Sequence, residues 1–181
     1  IGTSALAASQ VITNLLLVAI LPGIAFGLTA ASLVGQALGR GEPDDAHRWA
    51  WNVALLGATI VGVIALPAAV FPEPILGAFI HDPATVALGA LPLRIVALGM
   101  GIDALGMIFL NAHFGAGASA RASALSVGLQ WLVFLPAAYL IGVHFALGLN
   151  AVWLAQVSYR ALSAAMFVAS WEQRTWARAK V

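Results

Sequence analysis

One acidic residue stands in the middle of a long apolar stretch, where an ionisable side chain calls for an explanation. If the stretch is a helix, Gly99 and Gly106 lie one turn to either side of Asp103 on the same face. Small residues at this spacing let a neighbouring helix or a ligand come close to the carboxylate. A carboxylate can hold sodium or take up a proton, and either event changes the affinity of a nearby site for a cation. Asp103 is therefore the first candidate for an ion-coupling residue.

A basic residue lies in another apolar stretch, at about the same depth as Asp103 if both stretches cross a membrane. Arg160 shares one helical face with Gln156 and Ser163. Two interpretations stay open: Asp103 binds an ion, or the two residues form a structural pair that neutralises both charges. Gln156 and Asn111 are the further candidates for ion-pair or cavity partners.

Other side chains inside apolar stretches could line a cavity or bridge helices. Met100 and Met107 flank Asp103 and could give a ligand an adaptable apolar wall, although ordinary packing explains them as well. The polar candidates are Gln10, Asn14, Gln130 and Tyr139. Polar bridging between helices is the common case in membrane bundles.

The histidines do not show the spacing of a metal site. His47, His81 and His144 fall in or beside expected loops, without the i, i+4 spacing of a helical zinc pair. His113 could relay protons, because its reference pKa of about 6.5 lies near neutrality, but we interpret it as a solvated residue at the membrane interface. The sequence contains no cysteine, so we expect no metal site of the zinc type.

The elements that carry these residues must be membrane spans. Of 181 residues, 62% are hydrophobic and 8% are charged, against roughly a quarter charged in a soluble domain. The apolar blocks can cross about 30 Å of hydrocarbon, which takes about 20 helical residues. Composition predicts an all-α, polytopic transmembrane bundle. The basic residues are too scattered for a nucleic-acid surface, and no nucleophile with a base or His-Glu-x-x-His motif indicates an enzyme.

Five spans are expected, separated by polar or glycine-rich connections. They cover about residues 4–38, 44–70, 84–114, 123–141 and 149–171. Pro22 predicts a kink in the first span. Pro43 suits the first turn of the second helix, where Asp44 and Asp45 favour the positive end of the helix dipole. A short interfacial helix is expected at about residues 75–80.

Basic residues concentrate at one end of the expected bundle. That end holds Arg40, Arg48, Arg121, Arg174, Arg178 and Lys180, and the other end holds Arg94. Because Lys and Arg favour the cytoplasmic side of a membrane, we expect the C-terminus to lie in the cytoplasm. The expected location of the chain is the cell (inner) membrane. The chain opens at Ile1 without a signal-peptide pattern, so we expect further helices before it in a longer protein.

A glycine-rich motif lies where the first expected span ends: Leu33-Val-Gly-Gln-Ala-Leu-Gly-Arg-Gly41, followed by Pro43 and Ala46. It resembles the motif of the multidrug and toxic compound extrusion family at the cytoplasmic end of that family's second or eighth helix. The characteristic positions are Gly35, Gln36, Gly39 and Gly41. The opening Gly2-Thr-Ser-Ala-Leu-Ala-Ala8 resembles the approach to helix eight, and Leu93-Arg-Ile95 with Gly115-Ala-Gly117 resembles helix ten. Ala151-Val-Trp-Leu154 with Arg160, and the closing Trp171 to Val181, resemble helix twelve and the tail.

The resemblance covers nearly the whole chain and implies that residues 1–181 are a partial C-terminal lobe, helices eight to twelve of twelve. Members of this family exchange sodium ions or protons for cationic drugs by alternating access. The implied partners are the lipid bilayer, organic cations and the missing N-terminal lobe and seventh helix, with Na+ or H+ as coupling ion and no other cofactor. The sodium-coupled branch has an aspartate at the place of Asp103 but a tyrosine at that of Gly99, which leaves the ion open.

Two alternatives to multidrug efflux remain. One is a lipid-linked oligosaccharide flippase of related fold, for which we would expect a cationic central cavity. The other is a non-transporting membrane scaffold. An Asp103 that faces lipid, or that is locked to Arg160 with no cavity beside it, would favour the scaffold.

Overall fold

Long helices make up most of the computed structural model, which describes residues 3–144 and 148–178. The helices are α1 (Thr3–Gly39), α2 (Pro43–Val70), α3 (Pro72–Gly77), α4 (Pro83–Gly115), α5 (Ser119–Leu129), α6 (Leu135–Tyr139) and α7 (Leu149–Glu172), followed by a 3-10 turn at Thr175–Arg178. Five helical stretches are long and apolar enough to cross a membrane: Ser4–Gly39, Pro43–Val70, Pro83–Gly115, Ser119–Gly142 and Leu149–Glu172. The described residues contain no strand, and the predicted all-α polytopic fold is confirmed.

The helix starts follow from local sequence. Pro43 lies in the first turn of α2 together with Asp44 and Asp45, as expected. At the start of α4 the carboxylate of Asp82 accepts a hydrogen bond from the backbone N–H of Thr85 at 3.0 Å, which satisfies one of the free donors of the first turn. Tight polar connections therefore fix where the second and third spans begin.

The fourth span, Ser119–Gly142, is irregular. Between α5 and α6 the chain makes a π-helical turn at Gln130–Phe134, where the N–H of Leu135 bonds to the carbonyl of Gln130, five residues back. Pro136 follows directly, and because proline lacks an N–H and crowds the preceding turn, a widened turn relieves the misfit. A second π-helical segment, Leu140–His144, extends the helix past α6.

Several boundaries differ from the expected ones. The fourth span begins at Ser119 rather than near residue 123, and the helix continues to His144, into the expected loop. The short helix α3 covers Pro72–Gly77 rather than residues 75–80, because Pro72 starts it early. Pro22 lies inside α1 without interrupting it. The structure does not describe residues 1–2, residues 145–147 of the expected connection between the fourth and fifth spans, or residues 179–181 with Lys180.

Helix α4 lies at the centre of the bundle and packs against α1, α2 and α7. Many of the residues buried at these contacts are alanines, among them Ala30, Ala54, Ala104 and Ala112. Small side chains let helices approach closely where lipid offers no hydrophobic driving force for association. At Gly115 a Cβ would collide with the backbone of Ala31, so this glycine allows α1 and α4 to touch.

The outer surface of the bundle is apolar. Large exposed side chains include Leu17, Leu28, Leu55, Leu98 and Leu132. A water-soluble domain rarely exposes so continuous an apolar surface, whereas lipid-facing helices require one. The surface therefore agrees with the five candidate spans.

Candidate functional site

Asp103 on α4 and Arg160 on α7 form an ion pair in the middle of their helices. The Nη1 of Arg160 donates to Oδ1 of Asp103 at 3.0 Å. The Asp103 side chain is 21% exposed and that of Arg160 is 42% exposed. A guanidinium carries five N–H donors, and this pair uses one of them rather than the two of a fork-like contact. The pair leaves most of the guanidinium's hydrogen-bonding capacity unused.

Two glycines bring α7 close to α4 on either side of Asp103. A Cβ placed on Gly106 would lie 2.8 Å from Cβ and 2.9 Å from Cα of Ala164, and one on Gly99 would lie 2.8 Å from Cγ1 of Val157. Real side chains do not approach so closely. In the structure, α7 is the neighbouring helix that comes close to the Asp103 carboxylate. This approach lets Arg160 reach Asp103.

Cavities open on two sides of the ion pair. The larger, which we call the polar cavity, has a volume of about 190 Å³ and lies between α4, the fourth span and α7. Its polar lining comprises Asp103, Ser126, Gln130, Gln156, Tyr159, Arg160 and Ser163. The smaller, the apolar cavity, measures about 70 Å³ and is lined by Leu16, Met100 and Trp153 among others, together with Asp103, Gln156 and Arg160. The ion pair borders both spaces, each large enough for water.

The cavities gather some of the predicted site residues. Gln156 lines both cavities, Met107 and Gln130 line the polar cavity, and Met100 lines the apolar one. Three polar residues of the polar cavity, Ser126, Tyr159 and Ser163, were not among the candidates. Ser126 lies one helical turn before Gln130, and this spacing could have indicated it.

Other predicted residues lie elsewhere. Asn111 donates from Nδ2 to the carbonyl of Met107 at 2.9 Å and packs over Gly27 of α1, so it contacts α1 rather than the ion pair. Gln10 and Asn14 are exposed on α1, joined by a hydrogen bond of 3.4 Å. Tyr139 is also exposed and borders neither of the two cavities.

His113 is buried, and its interpretation as a solvated interfacial residue is wrong. Its side chain is 2% exposed. Nδ1 lies 2.8 Å from the carbonyl oxygen of Phe109 and therefore donates, which leaves Nε2 to accept from the hydroxyl of Ser170 at 3.2 Å. Rings of Phe167 and Trp171 cover the imidazole. Both nitrogens are satisfied inside the protein, so burial is tolerated.

The same end of α7 carries a group of packed aromatic rings, which we call the aromatic end: His47, Trp51, Phe109, His113, Phe167, Trp171 and Trp176. Trp171 is fully buried, and Trp176 stacks on it with ring centroids 4.1 Å apart. Oε1 of Glu172 accepts a hydrogen bond from Nε1 of Trp51 at 2.7 Å and lies 3.0 Å from Nε2 of His47. These contacts tie α7 to α2 and α4.

An ion pair and hydrogen bonds join the start of α2, the start of α5 and the tail at the aromatic end. Arg174 pairs with Asp44 at 2.6 Å. Arg121 donates to Oε1 of Gln173 at 3.1 Å and also bonds to Thr175. The basic residues expected to share one face of the membrane are therefore neighbours where the structure describes their side chains. No group of three or more His, Asp or Glu residues within the described part of the chain could hold a metal ion.

The loop motif acts at a corner between α1 and α2. Gly41 has φ +76°, in the left-handed region that favours glycine, and a Cβ on Gly35 would lie 3.3 Å from the carbonyl oxygen of Gly115. Gln36 donates to Oγ of Ser32 at 3.0 Å, whereas Gly39 has open space around it. The motif allows a tight turn and close packing on the end of α4.

Comparison with known proteins gives one family. A family model described as MatE matches residues 1–140. A probable multidrug resistance protein NorM of Thermotoga maritima is 26% identical over 181 residues, covering 96% of this chain and 38% of that protein. A multidrug resistance protein NorM of Burkholderia vietnamiensis is 31% identical over 84% of this chain and 34% of its own length. Protein DETOXIFICATION 17 of Arabidopsis thaliana is 29% identical over 75% of this chain and 28% of its own.

The chain spans less than two fifths of the length of each of these relatives. No solved structure matched the chain.

Proposed function

This chain belongs to the MatE family, and on that premise we propose that it forms five helices of the second half of a cation-coupled multidrug exporter that works by antiport and alternating access. Membership confirms the family that the sequence motifs resemble. Two of the relatives carry multidrug resistance in their names, which supports efflux of organic cations as the activity of the whole protein. Coverage of 38% of one relative agrees with five helices out of twelve.

The observation that carries the proposal is an ionisable pair at mid-span with cavities beside it. A charged side chain in a membrane costs several kcal/mol unless it is paired or hydrated, and such residues mark ion and substrate pathways. We propose Asp103 as the coupling site for Na+ or H+, because a carboxylate supplies hard oxygen ligands for sodium and can also take a proton. Gln156, which borders both cavities, is placed to supply a further oxygen.

The cavities favour a transporter over the two alternatives. A scaffold would be favoured by an Asp103 locked to Arg160 with no space around the pair, whereas here the pair borders two cavities. A flippase for anionic lipid-linked sugars would need a cationic cavity. Among the described lining residues, one arginine faces one aspartate, so the lining has no net positive charge and does not favour such a flippase.

We propose that the aromatic end faces the cytoplasm of a cell whose inner membrane holds the protein, with the C-terminus on the same side. The grouping of Arg40, Arg48, Arg121 and Arg174 near that end supports this orientation. Gln10 and Asn14 form an exposed polar pair on α1, and we propose that this face meets the missing N-terminal lobe and seventh helix across a shared substrate path.

The experiment uses the full-length parent protein in proteoliposomes. Efflux of tetraphenylphosphonium, an organic cation, is measured under a sodium gradient and, separately, under a proton gradient. Asp103→Asn is expected to lower the initial rate roughly tenfold or more under whichever gradient drives the unmodified protein, because the amide carries no charge to bind the ion.

The matched control is Asp82→Asn, the same chemical change at an exposed carboxylate before the third span. It keeps an oxygen acceptor for the helix cap and is expected to transport at the unmodified rate. Unchanged efflux in the Asp103 variant would remove this carboxylate from the coupling mechanism, and absence of efflux under both gradients in the unmodified protein would overturn the proposed function itself.

A further inference from the structure

In this structure the Asp103 carboxylate is paired with a cationic side chain of the protein itself, the guanidinium of Arg160. Arg160 holds Oδ1 of Asp103 through one hydrogen bond of 3.0 Å. A coupling ion that uses the same carboxylate must compete with this guanidinium. The competitor is attached to the neighbouring helix, so its effective concentration at the carboxylate is high and does not depend on the solution.

The guanidinium has a second environment within reach. Arg160 itself lines the polar cavity of about 190 Å³. Side chains with oxygen acceptors surround that space: Ser126, Gln130, Gln156, Tyr159 and Ser163. Hydroxyl and amide oxygens can accept the N–H groups that a guanidinium released from Asp103 would present. The side chain is 42% exposed, so a change of rotamer does not require α7 to separate from α4.

The charge inventory around the pair is simple. Among the described residues that line the two cavities, the acidic and basic side chains are Asp103 and Arg160, with the phenol of Tyr159 as a further titratable group. With the pair intact, the lining has no net charge. Neutralising Asp103 with a sodium ion or a proton leaves the positive charge of Arg160 uncompensated in the cavity wall.

We propose that Arg160 is a tethered cation that couples the ion to the drug: it holds Asp103 until the coupling ion displaces it, and then enters the polar cavity and weakens binding of an organic cation there. The inference rests on the proposed function, since it assigns the coupling ion to Asp103 and the drug to the adjoining cavity. Binding of one cation at Asp103 thus opposes binding of another, although the two need not share a ligand atom.

The first test measures the concentration of coupling ion that half-saturates efflux by the full-length protein. Arg160→Gln removes the tethered competitor and keeps a polar side chain of similar length. The half-saturating concentration of the ion, Na+ or H+, is expected to fall at least about fivefold. Arg48→Gln, the same change at a side chain that is 75% exposed, is expected to leave it unaltered. An equal or higher half-saturating concentration in the Arg160 variant would overturn the proposal.

A second test does not depend on transport and allows for misfolding of Arg160→Gln, which leaves Asp103 without its partner. Equilibrium binding of tetraphenylphosphonium is measured on the purified full-length variants. Asp103→Asn frees Arg160 permanently and is expected to weaken binding at least about fivefold, and adding Arg160→Gln to this variant is expected to recover most of the loss. Binding by the double variant no tighter than by Asp103→Asn would contradict release of Arg160 into the cavity.

The outcomes separate the two ideas. If the unmodified protein exports tetraphenylphosphonium under an ion gradient but neither expected shift occurs, the tethered-cation mechanism fails and the exporter stands. If the unmodified protein neither binds nor exports this cation, the proposed function fails, whatever the variants do.

Discussion

Helices α4 and α7 meet in two regions that differ in how their polar groups are satisfied. At the aromatic end, His113 and Ser170 bond to each other in a dry environment, and Trp171 lies fully buried among rings. At mid-span, Asp103 and Arg160 bond to each other at the edge of two cavities. One contact is enclosed by side chains, whereas the other has space beside it.

The difference assigns two roles to two regions of α7: one region holds the helix in place, and the other allows side chains to rearrange. A close-packed region has essentially one arrangement, because any displacement opens a void or a clash. A polar pair beside a cavity has alternatives, since water or cavity oxygens can replace each partner. The aromatic end therefore fixes α7 against α4, and the mid-span pair can change partners while the helices stay together.

The largest effect is expected from Trp171→Ala, which tests the anchoring role. Loss of a fully buried indole should lower the free energy of unfolding by about 3–5 kcal/mol, because lost contacts add to an unfilled cavity. The indole N–H of Trp171 has no hydrogen-bond partner among the described residues, so the loss is one of packing. The measurement is the thermal unfolding midpoint of the full-length protein in detergent.

Trp131→Ala is the matched control for this substitution. The Trp131 side chain is 66% exposed, so its removal should leave the midpoint nearly unchanged. Equal midpoint shifts in the two variants would show that the aromatic end does not anchor α7.

Gly106→Ala tests the close approach at mid-span. The added Cβ would lie 2.8 Å from Cβ of Ala164, so α7 must shift, at about 1–3 kcal/mol. Because the shift also moves Arg160 relative to Asp103, we expect ion-coupled efflux to fall with stability. Gly128→Ala is the control: its Cβ would meet open space, and the better helix propensity of alanine should keep or raise the midpoint. Similar midpoints for both variants would mean that the helices do not need this glycine.

Ser170→Ala and Ser163→Ala compare the two regions with the same change. Removing the hydroxyl of Ser170 leaves Nε2 of His113 without its donor in a dry site and should lower the free energy of unfolding by about 1 kcal/mol. Ser163 lines the polar cavity, where water can take the place of its hydroxyl, so the unfolding midpoint should hardly move. A larger loss at Ser163 than at Ser170 would reverse the comparison between the enclosed and the open region.

The sequence was sufficient to predict the five membrane spans and the side of the candidate site that α4 forms around Asp103. Apolar length identifies the five helices, and the spacing of Gly99 and Gly106 around Asp103 indicates that a neighbouring helix or a ligand can come close to the carboxylate. The depth of Arg160 makes a pair with Asp103 one of two interpretations. These features depend on local spacing and on the cost of a charge in lipid. Both can be evaluated without knowing the three-dimensional contacts.

The remaining features depend on distant neighbours. Burial of His113 results from Phe167, Ser170 and Trp171, which follow it by more than fifty residues, so its position near a helix end was misleading. Tyr159 borders the polar cavity next to Phe134, which lies in the π-helical turn before Pro136. Helical periodicity alone does not predict such a turn. It therefore does not predict which face of the fourth span meets α7.

The smallest effect is expected at the far end of α4, where Asp82 provides a reference for an exposed contact at the start of a helix. The Thr85 hydroxyl and the Thr85 backbone N–H donate to this carboxylate and lower its pKa below the ordinary 3.8. A carboxylate with a lowered pKa in the folded protein stabilises it above the ordinary value, and that contribution disappears as pH falls through the lowered one. Asp82→Ala should therefore lower the unfolding midpoint slightly at neutral pH and by less in strong acid, where the protonated carboxyl still accepts a hydrogen bond but has lost its charge. Asp82→Asn should keep the cap without this pH dependence. A difference between Asp82→Ala and the unmodified protein that stays constant across the acid range would show that the charge of the cap contributes nothing, and the small effect at neutral pH would then belong to the hydrogen bonds alone.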